Sequence, residues 1–131
     1  MSDKILLIED NEQNRYLIMF LLSKRGYEVV PAFDGIEGLK LAEQLLPRLI
    51  LLDIQLPRMN GYEVAGKLRS NPFLKDTPIV AITSYAMMGD RERTIAAGCN
   101  GYIEKPINPE TFQDQIESYL KIHPEGEGDK P

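Results

Sequence analysis

Histidine and cysteine are nearly absent from this chain: 131 residues contain one of each, His123 and Cys99. A single cysteine excludes an intramolecular disulfide and with it a disulfide framework. One histidine, set in a polar tail, excludes a His/Cys zinc site and any serine–histidine hydrolase that needs a second histidine. Basic runs are also missing. Lys and Arg number 15 against 20 Asp and Glu, for a formal net charge of -5, and phosphate backbones need clustered cations, so no nucleic-acid partner is expected. Long apolar runs are missing too. The N-terminus offers only Ile5-Leu6-Leu7-Ile8, too short for a signal peptide or a membrane span. The expectation is a small acidic protein of the cytoplasm, with no membrane partner.

What is present is ordinary globular usage. Hydrophobic residues make up 43% and charged residues 27%, which excludes a wholly disordered chain. The length suits one domain able to bury a core without staples. Apolar runs alternate with helix-like segments. Ile5-Leu6-Leu7-Ile8, Tyr27-Glu28-Val29-Val30, Leu49-Ile50-Leu51-Leu52, Ile79-Val80-Ala81-Ile82 and the short Tyr102-Ile103 read as strands. The first, third and fourth do not alternate in polarity, so they are expected to be buried on both faces.

Between the strands the spacing predicts a helix over 12–25, stopped by Gly26. A second is capped by Asp34 with Glu37 as capping-box partner, striped by Ile36, Leu39, Ala42 and Leu46, and ended by Pro47. A third is capped by Asn60, a fourth over 89–97 is closed by Gly98, and a last begins at Asn108-Pro109 with a stripe of Phe112, Ile116 and Tyr119. Five strand–helix repeats imply an α/β fold: a doubly wound five-stranded parallel sheet, (βα)5, with helices on both faces. No internal repeat or linker divides the chain. Residues 1–122 are expected to form the domain, and 123–131, which hold no large apolar residue, a flexible polar tail.

In an open parallel sheet, ligands bind beyond the carboxyl ends of the strands. The first strand ends in Glu9-Asp10, the third in Asp53, the fourth in Thr83-Ser84 and the fifth in Lys105-Pro106. Each alone has an ordinary explanation: acids near a helix start favour its dipole, a strand-end threonine is common, and a lone lysine is usually solvated. Their joint placement carries the argument. Two like charges about 4 Å apart repel by roughly 4 kcal/mol at an effective dielectric near 20, so three crowded carboxylates need a cation. An all-oxygen donor set suits a hard ion such as Mg²⁺. A lysine supplies a point charge for a phosphoryl oxygen, a threonine supplies a hydroxyl, and an aspartate can itself become an acyl phosphate. The parts fit phosphoryl transfer.

These residues resemble response-regulator receiver domains of two-component signalling. The resemblance covers about residues 4–122 and rests on Glu9-Asp10-Asn11, Leu52-Asp53-Ile54-Gln55-Leu56-Pro57 with Asn60-Gly61, Ile82-Thr83-Ser84, and Gly101-Tyr102-Ile103-Glu104-Lys105-Pro106. It implies a flavodoxin-like strand order 2-1-3-4-5. It implies that Asp53 accepts a phosphoryl group from a sensor histidine kinase or histidine phosphotransfer protein. It further implies that Asp10, Asp53 and the backbone carbonyl of Gln55 bind Mg²⁺, with Glu9 acting through water. Thr83 and Lys105 would bind the phosphoryl group, Tyr102 would be an aromatic switch that follows Thr83, and the Lys105–Pro106 bond would be cis. Glu9 stands where many members have Asp. Ser84 keeps the usual small size after the switch threonine. Gln55 and Tyr85 flank the path of a hydrolytic water, and bulky Tyr85 predicts a slowly hydrolysed phosphate.

Two surfaces stand out beside the site. Residues 16–22 (YLIMFLL) are apolar for too long to fit one helix face. Leu17, Ile18, Leu21 and Leu22 suit the core, which leaves Tyr16, Met19 and Phe20 as an expected docking patch for the helices of a phosphodonor protein. Met87 and Met88 suggest a second adaptable surface. Competing readings are a Mg²⁺-dependent phosphohydrolase working through an aspartyl phosphate, disfavoured by Gln55 two residues after Asp53, and a receiver cut from a hybrid histidine kinase, against which the Met1 start and charged tail lean. No GxxxxGK loop exists for a nucleotide switch. A flavin carrier would bring its phosphate against three acids.

Overall fold

A computed structural model describes residues 3–84 and 88–122. Five strands, β1 (Ile5–Ile8), β2 (Val29–Ala32), β3 (Leu49–Asp53), β4 (Ile79–Thr83) and β5 (Gly101–Glu104), form one sheet in the order β2-β1-β3-β4-β5. All neighbours run parallel. Helices α1 (Glu12–Ser23), α2 (Gly35–Leu45), α3 (Gly61–Arg69), α4 (Met88–Ala96) and α5 (Phe112–Ile122) connect or follow the strands. One 3-10 turn, Pro72–Leu74, precedes β4.

Runs without polar alternation still obey the two-residue period of a strand. Leu6, Ile8, Ile50, Leu52, Ile79 and Ala81 face one way, into a core completed by Val64, Ala65 and Leu68 of α3. Ile5, Leu7, Leu49, Leu51, Val80 and Ile82 face the other way, against Ile18 and Leu22 of α1 and Phe112 and Ile116 of α5. Both faces are covered, so both sets of positions must be apolar.

The caps follow from side-chain chemistry. Asn11, Asp34 and Asn60 each accept a hydrogen bond from the backbone N–H three residues on. Glu37 reaches back as a capping-box residue does, but to the N–H of Phe33, one residue before the cap. Gly26 (φ +88°) and Gly98 (φ +116°) close α1 and α4 at positive φ, which glycine adopts without the steric cost a Cβ brings. α2 closes differently. Leu46 itself turns left-handed, at φ 46°, before Pro47 blocks any continuation.

Several expected boundaries shift. β2 lies at Val29–Ala32 rather than 27–30 and includes Pro31; a proline without an N–H is tolerated there because β2 is an edge strand. α1 stops at Ser23 because the chain already turns at 24–26, with Tyr27 N–H donating to the Leu22 carbonyl. Asn108 does cap the last helix, accepting from Glu110 N–H through its side chain and from Phe112 N–H through its carbonyl, yet regular α5 begins only at Phe112. β3 and β4 each run one residue further, so Asp53 and Thr83 belong to the strands themselves. Among the described residues no helix is long and apolar enough to cross a membrane. Tyr85, Met87, His123 and the expected tail 123–131 lie outside the described residues, as does the side chain of Met88.

Candidate phosphorylation site

The strand order places β1 between β2 and β3, so the chain leaves β1 and β3 in opposite directions across the sheet. The crevice at this reversal is where ligands bind in such folds. Here it receives Glu9-Asp10 from β1 and Asp53 from β3. One carboxylate oxygen from each of Glu9, Asp10 and Asp53 lies within 4.8 Å of the others. Glu9 is fully buried, Asp53 is 1% exposed and Asp10 faces solvent.

Lys105 enters from the end of β5. Its Nζ lies 3.2 Å from Asp53 Oδ1 and 3.8 Å from Glu9 Oε1. The Lys105–Pro106 peptide bond that precedes this turn into α5 is cis, as the resemblance implied. Asp53 Oδ1 also accepts the Gln55 N–H at 2.9 Å, so two donors fix the rotation of this carboxylate. Glu9 is held at one oxygen only, where Oε2 accepts the Asn11 N–H at 3.2 Å; Oε1 is buried without a hydrogen-bond partner. Burial, then the adjoining Asp53 carboxyl, push the Glu9 pKa from 4.5 up to about 7 against the opposing pull of Lys105 and the Asn11 amide. One ammonium thus faces three acids, and the notch is short of positive charge.

Thr83 is 1% exposed and stands one residue past Ile82, the partner of Asp53 in the β3–β4 register. Tyr102 of β5 pairs with Ala81 of β4 and is half-buried. Gln55 carries its side chain away from the acids. Its Oε1 accepts from Ser84 N–H at 3.0 Å and Ser84 Oγ at 2.6 Å, bridging the loops after β3 and β4. Glu9, Asp10, Asp53, Lys105 and the Gln55 amide therefore gather at one rim, Thr83 ends the adjoining strand, and Tyr102 sits two residues further back, level with Ala81.

The expected docking residues lie elsewhere. Tyr16 (72% exposed) and Phe20 (48% exposed) stack on the outer side of α1, with ring centroids 6.3 Å apart. With half-buried Met19 they line a groove of about 590 Å³ that continues to Tyr27, Glu28 and Val29. It runs toward the N-terminal end of β2, away from the acidic rim. Three arginine contacts have no sequence signal. Arg15 donates to the Glu9 carbonyl at 3.0 Å, Arg91 grips the Tyr102 hydroxyl, and Arg93 covers the Tyr62 ring at 4.1 Å. Their partners come from other elements, so spacing along the chain does not reveal them.

Known proteins agree with this geometry. Residues 5–117 match the family described as response regulator receiver domain. The chain is 42% identical over 120 residues to the polar-differentiation response regulator DivK of Brucella ovis, covering 92% of this chain and 98% of that protein. It is similar in structure to the chemotaxis protein CheY4 of Vibrio cholerae, with a TM-score of 0.86 and 31% identity over 92% of this chain and all of that one. It is likewise similar to the receiver domain of sensor histidine kinase PA1611 from Pseudomonas aeruginosa, solved with magnesium in its active-site cleft, with a TM-score of 0.83 and 34% identity over 92% and 99% of the two chains. With the sheet order, the acidic rim and its lysine already in place, these likenesses establish that the chain belongs to the response-regulator receiver domains, the phosphoacceptor modules of two-component signalling.

Proposed function

We propose that Asp53 is the phosphoacceptor, that its donor is a sensor histidine kinase or histidine phosphotransfer protein, and that Thr83 and Tyr102 report the change to a downstream partner. The observation that carries this reading is the buried Asp53 carboxylate, held by Lys105 and the Gln55 amide beside two further acids. A carboxylate oxygen attacks the phosphorus of a phosphohistidine, the P–N bond breaks, and the electron pair leaves with the imidazole, which is then protonated. One carboxylate charge becomes an acyl phosphate of about -1.5 to -2 with three acceptor oxygens. Lys105 pairs with the new charge and the Thr83 hydroxyl donates to it. Tyr102 then fills the space that Thr83 leaves, a differential contact of the kind a two-state switch requires.

The donor set fits magnesium: three carboxylates in reach of one another, and a buried Glu9 oxygen that lacks a hydrogen-bond partner. Asp10, Asp53 and the Gln55 backbone carbonyl would hold the ion, with Glu9 acting through water. When bound, it neutralises charge developing on the transferred group. The likeness to a receiver domain solved with magnesium supports this assignment. A phosphohydrolase is disfavoured, because the position two residues after Asp53 is Gln55, whose side-chain oxygen is taken up by Ser84.

The receiver is proposed to span 1–122, with 123–131 as a polar tail, and to work in the cytoplasm without nucleic-acid or membrane partners. The bulk of Tyr85 is proposed to slow hydrolysis, so Tyr85→Ala shortens the life of the phosphate; an unchanged lifetime refutes that role. Incubation with acetyl phosphate and Mg²⁺ followed by intact mass tests the main reading. The wild type gains one phosphoryl group and Asp53→Asn gains none. Equal modification of the variant would refute it.

A further inference from the structure

Tyr102 is not left to water at its polar end. Arg91 of α4 donates to the Tyr102 hydroxyl from Nε at 2.9 Å and from Nη2 at 2.6 Å, and its Cζ lies 4.9 Å from the ring centroid. One edge of the guanidinium fork converges on a single oxygen while the same cation covers the ring. Among the described residues no carboxylate pairs with Arg91, so this grip is not shared with an ion pair. The rest of Tyr102 packs against the α2–α3 side of the core. The hydroxyl is therefore tied to α4, while the ring belongs to β5.

We infer that Arg91 is a positioning residue for phosphorylation of Asp53: it holds Tyr102 in the place that the phosphorylated state vacates. The inference rests on the reading of Tyr102 as the switch. A contact made in only one of two positions weights that position. Whatever favours the other position must first break the contact, so Arg91 opposes phosphorylation without touching the reacting atoms. An exposed charged grip of this size supports about a two- to fivefold effect on the equilibrium. Because Arg91 lies on the solvent side of α4, its replacement does not disturb the core.

The test uses the full chain with Mg²⁺ and beryllofluoride, a phosphoryl mimic, in wild type, Arg91→Ala, Arg91→Lys, Tyr102→Phe and the Arg91→Ala/Tyr102→Phe double variant. Tyrosine ring resonances are followed by NMR, with Tyr102→Phe identifying the relevant signal. In Arg91→Ala the Tyr102 signal of the free protein moves toward its beryllofluoride-bound position, and the mimic binds about two- to fivefold more tightly. Arg91→Lys, which keeps the charge but not the fork, falls between. In the Tyr102→Phe background, which keeps the ring but not the hydroxyl, Arg91→Ala has a clearly smaller effect. The proposal fails if Arg91→Ala leaves the Tyr102 signal in place, or if it tightens binding equally without the hydroxyl. A wild-type Tyr102 signal that ignores bound beryllofluoride would overturn the switch reading and this inference together. A signal that moves in wild type but is indifferent to Arg91 would overturn the inference alone.

Discussion

Glu9 bears the heaviest electrostatic penalty in the acidic notch, and this has a measurable sign. Its pKa rises from 4.5 to about 7 on folding, so between those values the native state binds more protons than the unfolded chain. Stability contributed by Glu9 is then present below about pH 4.5 and lost as pH rises through about 7. A displacement of that size is worth on the order of 3 kcal/mol. In metal-free buffer, urea unfolding at pH 5 and pH 8 is expected to show this loss in the wild type and much less of it in Glu9→Gln. Added Mg²⁺ should restore stability at pH 8 far more than at pH 5, because an ionised Glu9 gains from the nearby cation and from accepting its bound water, and a protonated one does not. Gly61 is a second sensitive position. A Cβ there would sit 2.5 Å from Ile54 Cα and 2.7 Å from the Asp53 carbonyl oxygen, and both are backbone atoms that cannot swing aside. Gly61→Ala is expected to cost about 1–3 kcal/mol by chemical denaturation and to slow modification by acetyl phosphate. Cys99 is 4% exposed, and burial pushes its thiol up to about 12. Alkylation of the native protein at pH 8 should therefore be slow until urea unfolds it.

At the scale of elements, the loops opposite the phosphorylation rim depend on one side chain. Arg69, at the end of α3, donates to the carbonyls of Gly98 and Leu74 and to Asn100 Oδ1. Asn100 Oδ1 in turn accepts the Ile79 N–H at the start of β4. The guanidinium thus ties α3, the 3-10 turn and the entry to β5 into one unit, and burial lowers its pKa. Arg69→Ala removes the guanidinium from the Gly98 carbonyl, while Leu74 keeps the Thr77 N–H and Asn100 Oδ1 the Ile79 N–H; it is expected to cost about 1–3 kcal/mol, read as a lower urea midpoint at unchanged slope. Elements were legible in the sequence where one local rule decided them: the capping side chains of Asn60 and Asp34, Gly26 and Gly98 as stops, and the apolar runs of β1, β3 and β4. They were less legible where neighbours decided. Pro31 lies in a strand because that strand is at the edge, and Leu46 takes a left-handed turn without being glycine. Neither follows from propensity.

For the whole molecule, the stacked pair Tyr16–Phe20 and the groove beside them form an apolar surface away from the acidic rim. If this surface docks the donor protein, Phe20→Glu should leave stability within about 0.5 kcal/mol, as for other exposed positions. It should also leave modification by acetyl phosphate unchanged while slowing transfer from a phosphorylated donor protein severalfold. Equal rates from both donors would remove the docking role.

The sequence by itself determined the architecture and the composition of the site. Strand–helix alternation admits few parallel topologies, and the strand ends name the acids, threonine and lysine that must meet at one rim. Only the tertiary structure decided how those groups share charge: which Asp53 oxygen Lys105 and the Gln55 amide hold, which Glu9 oxygen stays without a hydrogen-bond partner, and that Arg91 reaches Tyr102 while Gln55 reaches Ser84. The division has a physical cause. Secondary structure and strand-end placement follow from neighbours in the chain, whereas pairing of polar groups depends on side chains that only the folded sheet and its covering helices bring within hydrogen-bonding distance.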